Sequence, residues 1–358
     1  GLVHSAHDCS DGGLLVAACG DSVATRTGKK CDIFRTGQHQ ETELSVSGGT
    51  SLFDYYASGN LTDAQGAEPR NNRRMYTGRM NIGLSPAENF RISANVGYMT
   101  GPTHVPCDAG CGGYTWTTLS ATPNNYNLAN RHGYHSSLPY VYDQTVVLWQ
   151  DLSRTTASVR LEHQPREWLS HRLLLGGDVT SEGDNELDPR VDSLGSDGYR
   201  MINQREVVNR SLDYSANAIW QARPDLRMTT SVGAQYFTEN IHSVFADGEV
   251  FPTPGLTSVS ATTTNRNNSE GFSDDKSLGV YMQEHFAWRD KLYFTAALRS
   301  DDHSAFGTAF TRVTYPKFSV SYVLSEEPWF NLPFVSDRLG EFRFRAAYGE
   351  SGKAPSTY

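Results

Sequence analysis

Residues 90–99 read FRISANVGYM, and this stretch decides the fold class because apolar and polar side chains alternate along it. Alternation with a period of two places one set of side chains on each face of a β-strand. One face here carries Phe90, Ile92, Ala94, Val96 and Tyr98, whereas the other face is polar or small. The segment therefore predicts a strand that is apolar on one side only.

The same alternation recurs along most of the chain. It predicts about a dozen strands, near residues 41–49, 51–61, 73–84, 90–100, 153–163, 170–180, 205–220, 226–240, 277–288, 291–302, 311–324 and 341–350. Most of them are about ten residues long, enough to cross a bilayer at a tilt of about 45°. Strands of soluble sandwiches are usually about five or six residues long. Strand length therefore favours a membrane β-barrel.

Composition excludes two other classes. The 358 residues carry a net charge of −9, which argues against nucleic acid as the main partner because phosphate binding needs a basic face. The mean hydropathy is −0.50, and no run approaches the roughly 18 apolar residues of a membrane-spanning helix. A β-barrel is compatible with this value because only every second residue of each strand faces lipid.

The connections between the predicted strands alternate between short and long, except that link 325–340 is long where a short one is expected. The long links are residues 62–72, 101–152, 181–204, 241–276 and 303–310. Outer-membrane barrels have short periplasmic turns and longer extracellular loops. We therefore predict an all-β fold, an antiparallel up-and-down transmembrane β-barrel segment. Because the chain starts at Gly1 rather than Met, we expect a fragment, with residues 1–32 as an irregular segment and 33–358 as a partial barrel.

Three sequence blocks carry a family resemblance. Residues 34–66, which contain SVSGGT, together with GGYTWTTLSATP at 112–123 and FRFRAAYGESGKAP at 342–355, resemble SusC/RagA-like TonB-dependent outer-membrane receptors. The resemblance implies a barrel of about 22 strands with an N-terminal plug, of which this chain holds about half. It also implies a bacterial outer-membrane location and TonB-driven uptake of nutrients such as glycans, peptides or siderophores.

The same resemblance implies the partners. These are outer-membrane lipids, the TonB complex acting through a plug domain not recognisable in this chain, and a surface lipoprotein. In a whole receptor, arginines on the polar face of the strands would pair with carboxylates of the plug. The candidates are Arg79, Arg91, Arg299, Arg343 and Arg345. The alternative is that these arginines attract an anionic solute.

The longest link, residues 101–152, is the candidate for ligand contact because its aromatic side chains can stack on sugars or other flat surfaces. The candidates are Tyr114, Trp116, Tyr126, His132 and Tyr134. The alternative is a loop that packs its aromatic side chains against each other. Cys107 and Cys111 in the same link predict a small disulfide, with a partial metal site as the alternative. We expect no metal site and no cofactor.

Two other functions compete with transport. One is a soluble secreted β-sandwich that binds a ligand. The other is a purine-synthesis enzyme, because residues 1–17 locally resemble phosphoribosylformylglycinamidine synthase, where Asp8 and Asp11 would hold Mg²⁺. The chain has no G-x-S-x-G, H-E-x-x-H or P-loop motif. We therefore expect a transporter rather than an enzyme.

Overall fold

The computed structural model describes residues 35–68, 70–106, 145–192, 195–306, 312–330 and 340–352. Within these ranges the chain forms one sheet of 12 antiparallel strands, ordered in space as they are in sequence. The strands are β1 (Gln38–Gly49), β2 (Phe53–Gln65), β3 (Asn72–Ala87), β4 (Phe90–Val105), β5 (Val147–Arg166), β6 (Leu169–Asp188), β7 (Tyr199–Arg223), β8 (Leu226–Glu249), β9 (Thr264–Trp288), β10 (Leu292–His303), β11 (Val313–Val323) and β12 (Arg343–Gly349). The predicted fold class is confirmed.

Little helix accompanies this sheet. Short 3-10 turns occur at Val259–Ala261, Ser304–Phe306 and Leu324–Glu326. None of the helices that the structure describes has the length and apolar character needed to span a membrane. A β-sandwich would need two stacked sheets, whereas all twelve described strands belong to one sheet. The single sheet therefore favours the predicted barrel over the β-sandwich alternative.

Tight turns join consecutive strands at one end of the sheet, which we call the turn end. Arg289 and Asp290, between β9 and β10, both have a φ of 53°. Two consecutive residues with positive φ form the hairpin turn whose twist matches that of the flanking strands. At the first turn, the Thr50 hydroxyl accepts hydrogen bonds from the backbone N–H groups of Leu52 and Phe53. The other long connections lie at the opposite end, the loop end, whereas residues 324–342 form a long connection between β11 and β12 at the turn end.

The strand register gives the sheet one apolar face and one polar face. Directly opposed residues of an antiparallel pair point to the same side. One such row crosses six neighbouring strands and contains Ala94, Val159, Leu175, Leu212, Tyr236 and Leu278. The polar residues between them form the other face. The alternation seen within each strand is therefore aligned across the whole sheet.

The height of the apolar face matches a membrane. On β8 this face runs from Leu226 to Tyr236 with the hydroxyls of Thr230 and Tyr236 as its only polar groups, and it turns polar at Thr238. Ten residues at about 3.4 Å each, tilted by about 45°, rise about 24 Å. Outer-membrane barrels carry an apolar band of about 25 Å. We call the residues of the apolar face between these heights the apolar band.

Several strands extend further toward the loop end than predicted. β6 continues to Asp188 and β7 begins at Tyr199, so most of the predicted link 181–204 is strand. β8 likewise reaches Glu249 and β9 begins at Thr264, which shortens the predicted link 241–276. Above the apolar band both faces meet water, so the apolar alternation stops while the backbone hydrogen bonding of the ladder continues. The predicted loop boundaries at these places are wrong for this reason.

The two outermost strands each have one open edge among the described residues. β1 pairs only with β2, and β12 pairs only with β11. An unpaired edge exposes backbone N–H and C=O groups, each of which costs several kcal/mol in hydrocarbon. In a membrane these edges therefore require further strands as partners.

Candidate functional site

The polar face of the sheet is the candidate functional surface. All five predicted arginines lie on it: Arg79, Arg91, Arg299, Arg343 and Arg345. The predicted ligand-contact residues Tyr114, Trp116, Tyr126, His132 and Tyr134, the cysteine pair Cys107 and Cys111, and residues 1–32 lie outside the described residues.

Arg91 is fixed by an ion pair that crosses a strand. Its Nη2 lies 2.8 Å from Oδ1 of Asp54, although Arg91 is on β4 and Asp54 on β2. The intervening strand β3 carries Gly83 at this position, and a Cβ there would collide with both side chains. Because Gly83 has no side chain, the side chains of Arg91 and Asp54 can contact each other across β3.

A longer polar ladder crosses β6 to β10 in the middle of the polar face. Arg172 lies 3.4 Å from Asp213, which accepts a 2.6 Å hydrogen bond from the Gln235 amide. Nη1 of Arg299 donates to Oε1 of Gln235 at 2.8 Å, and Nε of Arg299 lies 2.9 Å from Asp301. We call this set the cross-strand ladder.

The cross-strand ladder also depends on a glycine. Between Gln235 and Arg299 lies β9, which presents Gly279 in register with both Gln235 and Asp301. A Cβ at Gly279 would collide with the side chains of Arg299 and Asp301. Sequence reasoning selected Arg299 but missed the rest of the ladder. The Arg-x-Asp spacing at 299–301 could have predicted the pairing of Arg299 with Asp301, since residues two apart share a face of a strand.

The remaining predicted arginines differ in how they are held. Nε of Arg343 lies 2.7 Å from Glu341. Arg79 and Arg345 are exposed and make no ion pair or side-chain hydrogen bond within the described part of the chain. Their guanidinium groups remain available for an acidic partner.

Charge on the polar face is distributed along the strand direction. Cations outnumber carboxylates toward the turn end, where Asp54 and Glu162 lie among six arginines: Arg91, Arg160, Arg172, Arg227, Arg343 and Arg345. Carboxylates concentrate toward the loop end: Glu182, Asp184, Glu186, Asp188, Glu239 and Asp247. Such a separation produces a field along the strands that acts on any charged group near this face.

The carboxylates nearest the loop end are closely spaced, beyond the apolar band. Burial, followed by the charge of Asp188, raises the pKa of Glu186. Burial also raises the pKa of Asp188. Burial, together with Asp247 and Glu186, raises the pKa of Tyr199 to about 12. Burial is thus the largest cause of the raised pKa values at this rim.

Two cavities open on the polar face. One of about 600 Å³ lies toward the turn end, and its lining includes Arg91, Glu162 and Arg172. The other, of about 390 Å³, lies against Asp213, Arg299 and Asp301. No cluster of three or more metal-ligating side chains occurs among the described residues. The linings of both cavities therefore offer hydrogen-bonding and charged side chains.

Comparisons with known proteins agree with this geometry. A family model described as "TonB dependent receptor-like, beta-barrel" matches residues 109–358. The TonB-dependent receptor P26 of Formosa agariphila is 20% identical over 87% of this chain. The chain spans about a third of that relative, 32% of its length.

Solved structures show the same fold. A chain of the RagAB peptide transporter superposes with a TM-score of 0.72 at 17% identity, over 88% of this chain and 37% of its own length. The ferric citrate transporter FecA superposes with a TM-score of 0.52 at 14% identity, over 81% of this chain and 40% of its own length. With a family model matching more than half of its residues, the chain belongs to the TonB-dependent receptor family, and its twelve strands are part of the β-barrel.

Proposed function

We propose that this chain is part of a SusC/RagA-like receptor that lies in the bacterial outer membrane and takes up nutrients with energy from the TonB complex. The observation that carries the proposal is the pairing of an apolar band about 24 Å high with a charged opposite face on twelve aligned strands. The first face fits hydrocarbon and the second fits a water-filled or plugged lumen.

The transported nutrient belongs to the glycan, peptide or siderophore class. Support comes from the neighbours, since RagAB is described as a peptide transporter and FecA as a ferric citrate transporter. The aromatic residues of the link after β4 remain our candidates for ligand contact. A surface lipoprotein remains a proposed partner.

The polar face supports a refined proposal for plug contact. Arg91 and Arg299 already pair with carboxylates of the barrel wall. Arg79 and Arg345 have no such partner among the described residues. We therefore propose Arg79 and Arg345 as the arginines that meet carboxylates of the plug, while Arg91 and Arg299 stiffen the wall.

Cell fractionation tests the proposed location and transport. The complete protein, expressed in a Gram-negative host, is expected in the outer-membrane fraction and should migrate faster on a gel before heating than after heating. A strain without its gene is expected to lose uptake of a ligand from one of the three classes, and loss of TonB should have the same effect. Recovery in the soluble periplasmic fraction would refute the proposal.

A further inference from the structure

A row of three polar side chains lies immediately above the apolar band on neighbouring strands. On the apolar face, Arg210 of β7 is opposite Thr238 of β8, and Thr238 is opposite Lys276 of β9. Each residue of the row lies two positions further toward the loop end than the last apolar residue of its strand. These last apolar residues are Leu212, Tyr236 and Leu278. It therefore lies where hydrocarbon would give way to lipid headgroups.

The middle of the row has an unsatisfied hydroxyl. Thr238 is 7% exposed, and its Oγ1 is buried without a hydrogen-bond partner. Its neighbours in the row, Arg210 and Lys276, are exposed cations that can only donate hydrogen bonds. The hydroxyl proton therefore has no acceptor within the row, and the two cations beside it are the exposed groups of the row.

The side chains next to the row hold the two cations in place. Nη1 of Arg210 donates to Oδ1 of Asn240 at 3.0 Å, and the Asn240 amide donates to Oδ1 of Asp274 at 2.7 Å. Nζ of Lys276 donates to Oδ2 of Asp274 at 2.8 Å. Two cations against one carboxylate leave the cluster with a positive charge, and both cations keep unused N–H donors.

We propose that Arg210, Thr238 and Lys276 bind a phosphate group on the headgroup of an outer-leaflet lipid. Adjacent strands lie about 4.8 Å apart, so the row spans about 10 Å. A phosphate bridging two strands can accept from the guanidinium fork, the ammonium group and the threonine hydroxyl. This inference rests on the proposed outer-membrane location, which supplies the lipid at this height.

The test measures lipid retention by the complete protein. The protein, purified in mild detergent and stripped of lipid, is titrated with lipid A that carries both phosphates and with lipid A from which both have been removed, and native mass spectrometry detects the complexes. Phosphorylated lipid A is expected to bind at least tenfold more tightly. Equal binding of the two lipids would overturn the inference. Competition by millimolar inorganic phosphate would show a free-phosphate site and overturn the lipid assignment.

Variants locate the site. The double variant R210Q/K276Q is expected to bind phosphorylated lipid A about 30-fold more weakly, since each basic residue near an anionic surface contributes about fivefold. Thr238→Val should also weaken binding, whereas Asp274→Asn should strengthen it. Arg266→Gln, ten residues away on the same strand, is the matched control and should leave binding unchanged.

The outcomes separate this inference from the proposed function. Heat-modifiable migration establishes that each variant is folded before binding is measured. If R210Q/K276Q binds phosphorylated lipid A as the wild type does, the inferred site is wrong. If the folded protein is recovered in the outer membrane and still shows no phosphate preference, the inference fails and the transport proposal stands.

Discussion

Replacing Val232 by arginine is expected to destabilise the folded barrel by about 2–4 kcal/mol, the cost of a cation at mid-depth on a lipid-facing strand position. Val232 lies on the apolar face near the middle of the band, opposite Ala216 and Met282. An arginine there has no carboxylate in its row, and the next polar groups on the same face toward the turn end are Thr230 and Glu284, which are hydrogen-bonded to each other at 2.7 Å. Urea unfolding of the complete protein in lipid vesicles measures the change.

The adjacent residue supplies the control. Ser231 points to the polar face, where its hydroxyl donates a 2.7 Å hydrogen bond to Asn217. Ser231→Arg loses that hydrogen bond but places the charge among polar groups, so we expect a cost of about 1 kcal/mol. Similar costs for the two variants would show that the faces have been assigned wrongly.

Replacing Gly101 by alanine is expected to cost about 3 kcal/mol, because it adds both backbone strain and a collision. Gly101 has a φ of 157°, which side-chain-bearing residues rarely adopt. A Cβ at this position would collide with the carbonyl oxygen of Arg74 on the neighbouring strand. The Arg74 carbonyl is part of the backbone and cannot rotate away as a flexible side chain can. The strands β3 and β4 must therefore move apart. Urea unfolding in vesicles reports the loss of stability.

Gly78 is the matched control on the same strand pair. It lies opposite Tyr98 on the apolar face, and a Cβ there would meet nothing within 4 Å. Gly78→Ala is expected to leave stability within about 0.5 kcal/mol of the wild type or to raise it, since alanine has less freedom in the unfolded chain. Equal destabilisation by the two alanines would mean that loss of glycine itself, rather than the contact with Arg74, weakens the barrel.

The faces of the strands could be predicted from sequence because their cause is local. Side chains two residues apart share a face whatever the rest of the chain does. For that reason the apolar face from Phe90 to Tyr98 can be assigned from the sequence alone. The polar position of the five arginines followed from the same rule.

Contacts across strands could not be predicted, because they depend on register. Arg299 and Gln235 are 64 residues apart in the sequence and separated by β9 in the sheet. Their hydrogen bond requires both pairings of β9 to be in register and Gly279 to leave room. Alternation along one strand contains neither piece of information.

Strand ends toward the loop end were missed for a different reason. The polar residues Glu182, Asp184, Glu186 and Asp188 fall in the predicted link 181–204, since no apolar face accompanies them. In the structure they are ladder residues of β6 paired with β7. Backbone hydrogen bonds continue the sheet where hydrophobic patterning has ended, so polarity alone does not mark the end of a strand.

The central claim is that one face of this sheet meets hydrocarbon and the other meets water. Spin labels placed one at a time from Met228 to Tyr236 of β8 test it directly, in the complete protein with its five cysteines in this chain replaced. We predict that even-numbered positions are relaxed by oxygen dissolved in the bilayer and odd-numbered positions by a water-soluble nickel complex. Labels with no two-residue alternation, or with the opposite alternation, would contradict the account.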